Sequence, residues 1–289
     1  SVLKPNSLRT TIARAEQTLA GAGVASPGVD ARLLAAHILG VAPLELMFAD
    51  PPAGFDEAYA ALVARRAARE PLQHITGTAP FAGVDLAVGP GVFIPRPETE
   101  LLAEWAVRSL LDAPSATSHP IAVDLGSGSG AVAITIAHAV PSATVYAVER
   151  SAEARRYLER NVAALAPSIR IVPGDMTDPA LLRELDGAVD VVAANPPYVP
   201  ETPDLDAEVY ADPHEAVFSG ADGMDAIRGL VPVAARLLCP GGRLGIEHDD
   251  ATSRDVQAVV RGSGAFGAPR VMQDLAGRAR FVTASKLAR

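Results

Sequence analysis

From Ile121 onward the chain alternates short β-branched runs with amphipathic stretches, and this alternation limits the possible folds more than any other feature. Residues 121–125, 143–148, 169–172, 189–194 and 243–247 read as strands. Residues 130–139, 151–165 and 223–238 read as the helices between them, and 270–273 and 280–285 are two further strand candidates. Alternation of this kind predicts an α/β fold, with a mostly parallel Rossmann-like sheet and helices on both faces. In such sheets ligands bind beyond the carboxyl ends of the strands.

The first part of the chain has a different texture. Ser7 can cap a run whose apolar positions Leu8, Ile12, Ala15 and Leu19 recur at helical spacing, with Gly21 and Gly23 as its stop. Residues 30–39 repeat the pattern with Leu33, Leu34, His37 and Ile38, ending at Gly40. Residues 56–70 give a third helix with Tyr59, Leu62 and Val63 as its buried stripe and Pro71 as its stop. Short Gly/Pro-bearing loops between them predict a small helical bundle with no catalytic group. The stretch 81–88 alternates between turn residues and reads as a hairpin. Pro95 and Pro97 flank Arg96 and make a stiff approach to a helix starting near Glu98. The expected organisation is a helical domain over residues 1–75, a hairpin linker over 76–95 and a catalytic domain over 96–289.

Composition narrows the function. With 49% hydrophobic and 20% charged residues, a packed core is expected. The net charge is -9, from 34 acidic against 25 basic residues. A protein gripping a nucleic-acid backbone needs a basic face, so sequence-specific nucleic-acid binding is not expected, whereas a basic protein partner suits this surface. The single cysteine, Cys239, excludes an intramolecular disulfide and suits a reducing, cytoplasmic setting. Residues 1–19 mix charges into their apolar positions, and no stretch is long enough to span a bilayer. His248-Asp249-Asp250 lacks a spaced partner, so no metal site is expected.

Chemistry concentrates at the strand ends. Asp124-Leu-Gly126-Ser127-Gly128-Ser129-Gly130 lies where the first strand passes into a helix. Glycines there let the backbone turn tightly, with helix-start amides facing a ligand. The dinucleotide pattern puts two residues between its last two glycines, and here there is one. Glu149 ends the next strand, placed to accept hydrogen bonds from a ribose. Asp175 and Met176 follow the third, placed to bracket an adenine. NAD carries these groups too, so a nicotinamide-dependent oxidoreductase stays open on these residues. Glycine loop, carboxylate and Gly-Asp at three successive strand ends resemble a class I S-adenosylmethionine-dependent methyltransferase.

The fourth strand delivers Asn195-Pro196-Pro197-Tyr198. The prolines make a rigid lip without amide hydrogens. The Asn195 side-chain carbonyl and a backbone carbonyl of the lip can each accept a hydrogen bond, and a primary amide or exocyclic amine has two hydrogens to give. Tyr198 offers an aromatic face for a planar group. Asn195, Pro196 and Tyr198 are therefore the candidate catalytic residues, with Pro197 completing the substrate lip.

Taken with Pro71-Leu-Gln-His-Ile-Thr-Gly77, Ile94-Pro-Arg-Pro-Glu-Thr-Glu100, Asn161, Gly241-Gly242 and Glu247-His248, these motifs make the chain resemble the peptide-chain release factor glutamine methyltransferases nearly end to end. The resemblance implies methylation of the glutamine side-chain amide in the Gly-Gly-Gln motif of class 1 release factors. It implies S-adenosyl-L-methionine as cofactor, with S-adenosyl-L-homocysteine as product. It also implies cofactor contacts at 126–130, Glu149, Met176 and Asn195, glutamine binding at 195–198, and a helical domain that engages the release factor. Adenine-N6 and guanine-N2 nucleic-acid methyltransferases share Asn-Pro-Pro-Tyr and form the alternative. Relatives more often carry Asp where Glu149 stands and an aromatic where Met176 stands. Arg96 has two readings, a contact to cofactor or substrate, or an ion pair with Glu98 or Glu100.

Overall fold

The computed structural model describes residues 7–113, 118–196, 208, 211–213, 220 and 223–288. Its chain divides into two compact units, residues 1–78 with 206–211, and residues 79–205 with 212–289.

The first unit holds α1 (Leu8–Gly21), α2 (Pro27–Leu39), α3 (Phe55–Ala67), α4 (Leu72–Thr76) and a 3₁₀ turn over Pro43–Phe48. Ser7 caps α1, its hydroxyl accepting from the Thr10 amide at 3.2 Å. Helix α2 starts at Pro27 rather than Asp30, because a proline at the first helical position forfeits no hydrogen bond. Its buried face is Ala31, Leu34, Ala35 and Ala36, while His37 is exposed. The helices close over Leu19, Leu34, Tyr59 and Ile75. Arg66, only 7% exposed, sits among them on α3. Its Nε donates to Asp30 at 2.8 Å, and its Nη1 donates to the Glu70 carbonyl at 2.9 Å and to Glu208 at 3.1 Å.

The hairpin β1 (Thr78–Phe81) and β2 (Val84–Ala87) opens the second unit, all but its first residue lying within it. The expected hairpin is present over residues 78–87, and Ala82 and Gly83 at its turn have φ of 47° and 83°, as a two-residue hairpin turn requires. Helix α5 (Thr99–Leu111) follows. Next come β3 (Ile121–Leu125), α6 (Ala131–Ala139), β4 (Thr144–Glu149), α7 (Ala152–Leu165), β5 (Arg170–Pro173) and β6 (Val189–Ala194). After them lie α8 (Asp225–Leu237), β7 (Leu238–Glu247), α9 (Ser253–Gly262), β8 (Arg270–Gln273) and β9 (Ala279–Ser285). No helix among the described residues is long and apolar enough to cross a membrane.

Seven strands form one sheet in the order β5-β4-β3-β6-β7-β9-β8, with β9 antiparallel to both β7 and β8 and the other pairings parallel. Alternate residues feed two cores. Ala122, Val191 and Ala193 face one, while Val123, Leu125, Val192 and Ala194 face the other. Strand β6 is therefore buried throughout, as a central parallel strand covered on both faces must be. Its one acidic residue, Asp190, accepts the Ile121 amide at 2.8 Å. The chain order reverses between β3 and β6, which opens a crevice at their carboxyl ends.

Candidate active site

At that crevice the register sets Leu125 beside Val148 on one side and Ala194 on the other. The ends of β3, β4 and β6 thus bring Asp124, Glu149 and Asn195 around a cavity of about 420 Å³. That volume lies within the roughly 300–1,000 Å³ usual for small-molecule sites.

The glycine loop forms one wall. The Gly126 and Ser127 amides both donate to the Val148 carbonyl at 2.9 Å, which draws the loop tight against β4. Gly126 has φ of 80°, and a Cβ there would lie 2.7 Å from Met176 Cε, so the backbone and Met176 close on each other. Ser127, Gly128 and Ser129 also line the cavity. Gly130 does not: a Cβ there would lie 3.0 Å from Leu158, so its role is to let α6 pack against α7.

Glu149 is held from two sides, accepting the Gly128 amide at 2.9 Å and the Ser151 amide at 2.8 Å. Each oxygen keeps a further lone pair toward the cavity. Asp175 is partly used within its own turn, where Oδ1 accepts the Thr177 amide at 2.9 Å and hydroxyl at 2.7 Å. Burial pushes its carboxyl up, but Thr177 and the nearby Arg150 together draw it below the usual value.

Two buried oxygens have no hydrogen-bond partner among the described residues, Asp124 Oδ2 and Asn195 Oδ1. Leaving such atoms unmet costs about 1–3 kcal/mol each, so both fit sites that a ligand completes. Burial also pushes the Asp124 carboxyl up to about 7. A carboxyl that protonates more readily in the folded state adds most stability below its unfolded value of about 4 and loses that contribution as pH rises through its folded value. The ligand-free protein should therefore lose stability between about pH 4 and 7, and Asp124→Asn should flatten that decline in denaturant titrations. An unchanged slope would place the carboxyl in a well-solvated setting.

The Arg96 ion pair is not the local one expected. Its Nη2 donates to Asp212 at 3.0 Å, and its guanidinium lies 5.1 Å from the Phe93 ring centroid. The same aspartate accepts the Ile94 amide at 3.3 Å. Arg96 does not line the cavity, and neither does the buried Pro196. Pro197 and Tyr198 lie outside the described residues.

Phe93, Pro95, Thr99 and Pro213 also line the cavity, although no strand-end position marks them in the sequence. The Thr99 hydroxyl donates to the buried Glu247 at 2.8 Å and so ties α5 to the end of β7. Asn161 gains a concrete role. Its Nδ2 donates to the Ser129 carbonyl at 2.8 Å and the Ala87 carbonyl at 3.0 Å, and its Oδ1 accepts the Ala87 amide at 2.7 Å. One buried amide thus braces the glycine loop against the hairpin.

Comparison with known proteins points the same way. A family model described as the PrmC N-terminal domain matches residues 10–77, and one described as the methyltransferase small domain matches residues 104–211. A release factor glutamine methyltransferase from Corynebacterium glutamicum is 57% identical over 276 residues, covering 94% of this chain and 96% of the relative. A protein of the same name from Mycolicibacterium smegmatis is 52% identical over 287 residues, covering 98% and 99%. Among solved structures, a methyltransferase from Pyrococcus furiosus has a TM-score of 0.52 at 18% identity, over 72% of this chain and 91% of that one, a likeness of fold alone.

Proposed function

Because the chain belongs to the release factor glutamine methyltransferase family, we propose that it methylates the glutamine side-chain amide in the Gly-Gly-Gln motif of class 1 release factors, using S-adenosylmethionine. The observation that carries this reading is a pair of buried oxygens at adjacent strand ends, on Asp124 and Asn195, with no hydrogen-bond partner among the described residues.

The residues fit the cofactor. Asp124 offers an oxygen unpartnered among the described residues, the 126–129 loop leaves room for close backbone approach, and Glu149 and Met176 line the wall. Glu149 would accept from the ribose, while Met176 and Asp175 would flank the adenine. Once bound, S-adenosylmethionine supplies an electrophilic methyl carbon on sulfur.

The protein's remaining task is to present a nitrogen. An amide nitrogen is a poor nucleophile because its lone pair is shared with the carbonyl. Asn195 Oδ1 and a carbonyl of the 195–198 lip accept its two hydrogens, which favours pyramidalisation and aims the lone pair at the methyl carbon. The same acceptors stabilise the positive charge that develops during attack. Bound at this wall, the cofactor would supply the methyl group, and its sulfur would keep the electron pair of the carbon–sulfur bond. The surplus proton leaves to water. By the family resemblance, Tyr198 would stack on the planar amide.

Mass spectrometry of the Gly-Gly-Gln peptide, after intact release factor is incubated with enzyme and cofactor, tests the proposal. A gain of one methyl on the glutamine is expected, and none on DNA or RNA incubated in parallel. An unmodified glutamine with methylated nucleic acid would reverse the assignment. The ribose contact carries its own expectation: Glu149→Ala should weaken cofactor binding by about 1–3 kcal/mol in calorimetry. Unchanged affinity would move that contact elsewhere.

A further inference from the structure

Helix α7 does more than pack against the sheet. Glu153, Tyr157 and Asn161 recur along it at every fourth residue and so share one face. That face holds the segment from Ala87 to Gly91. Asn161 bonds both the amide and the carbonyl of Ala87. The Tyr157 hydroxyl donates to the Pro90 carbonyl at 3.1 Å.

Two glycines permit this close approach. Gly89 is buried, and its φ lies outside the left-handed region, so its backbone would accept any residue. A Cβ there would nonetheless lie 2.4 Å from the Tyr157 hydroxyl oxygen and 3.1 Å from Cζ. The glycine is thus required by the tyrosine and not by the turn. At Gly91, where φ is 97°, a Cβ would lie 2.6 Å from a Glu153 carboxylate oxygen.

From Gly91 onward the same segment becomes cavity wall. Gly91, Phe93 and Pro95 line the cavity. Between them Val92 is buried near the glycine loop, its Cγ2 4.0 Å from where a Cβ on Gly128 would lie. Beyond it the Ile94 amide donates to Asp212 at 3.3 Å. The wall is therefore a strap fastened at both ends, and its near fastening is the helix that begins just after Glu149.

We propose that Tyr157 is a positioning residue for the cofactor: with Asn161, it seats residues 87–91 on α7 and so sets where Gly91, Phe93 and Pro95 meet S-adenosylmethionine. This rests on the chain's reading as an S-adenosylmethionine-dependent methyltransferase. Tyr157 does not itself line the cavity, so it acts through the strap alone. A wall held in place before the ligand arrives leaves less to be ordered on binding, and loosening it appears as lost affinity.

The test uses full-length protein and the variants Tyr157→Phe, Gly89→Ala and their combination. Calorimetry with S-adenosylmethionine and with S-adenosylhomocysteine gives Kd, and denaturant titration establishes that each variant folds. Tyr157→Phe keeps the ring and loses only the hydroxyl, so Kd should rise about threefold. Gly89→Ala should raise it about tenfold, since the new Cβ and the hydroxyl cannot share that space. In the combined variant the hydroxyl is gone, and Kd should return to the value of Tyr157→Phe alone. General loosening of the fold would instead multiply the two losses, and that result overturns the proposal. Wild-type Kd in Gly89→Ala also overturns it. Should Gly89→Ala fail to fold, Tyr157→Phe decides alone, with unchanged Kd as the refuting result. Wild-type protein that binds neither compound would defeat the cofactor reading, and this proposal with it, whereas variants matching a wild type that binds defeat this proposal only.

Discussion

Asn195→Ala should keep cofactor affinity within about tenfold of wild type while lowering methyl transfer about a thousandfold. The side-chain oxygen it removes is buried and has no hydrogen-bond partner among the described residues, so its loss disturbs no existing bond. What disappears is the acceptor that orients the substrate nitrogen and meets its developing charge, an interaction that strengthens toward the transition state. Calorimetry for the cofactor and single-turnover transfer to intact release factor separate the two effects. Near wild-type turnover would sink the alignment mechanism. Weakened cofactor binding and transfer in equal measure would make Asn195 a cofactor contact alone.

Arg66→Ala should destabilise the helical unit by about 3–5 kcal/mol, because it strands a buried carboxylate. Asp30 is 8% exposed, and the hydrogen bond in hand is to Arg66 at 2.8 Å. Removing the arginine also frees the Glu70 carbonyl and one bond to Glu208. Replacing both charges together, with Arg66→Met and Asp30→Leu, should recover most of that loss, since an apolar pair of similar volume leaves no charge unmet. Denaturant titration of the full chain measures both. A loss below about 1 kcal/mol in the single variant would mean that water reaches Asp30 readily.

The sheet was legible in sequence because its signal is local. Strands β3 and β6 fall on the expected residues, and those flanking the cofactor crevice shift by no more than a residue or so. The sequence pattern starts β7 only at Arg243, because Cys239-Pro240-Gly241-Gly242 has the composition of a turn, whereas the strand begins at Leu238. In the structure those residues are an irregularity within the strand, where the register with β6 jumps between Leu238 and Arg243. Helix α9 leaves little apolar signal in the sequence because it buries little beyond Val256 and Val260. The site divides along the same line. Asp124, the 126–129 loop, Glu149, Asp175, Met176 and Asn195 line the cavity while Gly130 and Pro196 do not, and the pairings that set their geometry are long-range. Arg96 with Asp212, Thr99 with Glu247 and Asn161 with Ala87 each join residues far apart in the chain, and composition and periodicity carry no trace of them.

The helical unit takes residues from two distant parts of the chain, and this has a consequence for its birth on the ribosome. Helices α1 to α4 emerge early, but the carboxylate that pairs with Arg69 and completes the shell of Arg66 is synthesised only at position 208. At elongation rates of roughly 5–20 residues per second, the bundle waits on the order of ten seconds between the appearance of its arginines and that of Glu208. During that interval Arg66 has Asp30 and the Glu70 carbonyl, while the fork of Arg69 lacks its carboxylate. The nascent bundle should therefore resist proteolysis less than the same helices in the finished protein, and its last gain in stability should coincide with synthesis of much of the catalytic sheet.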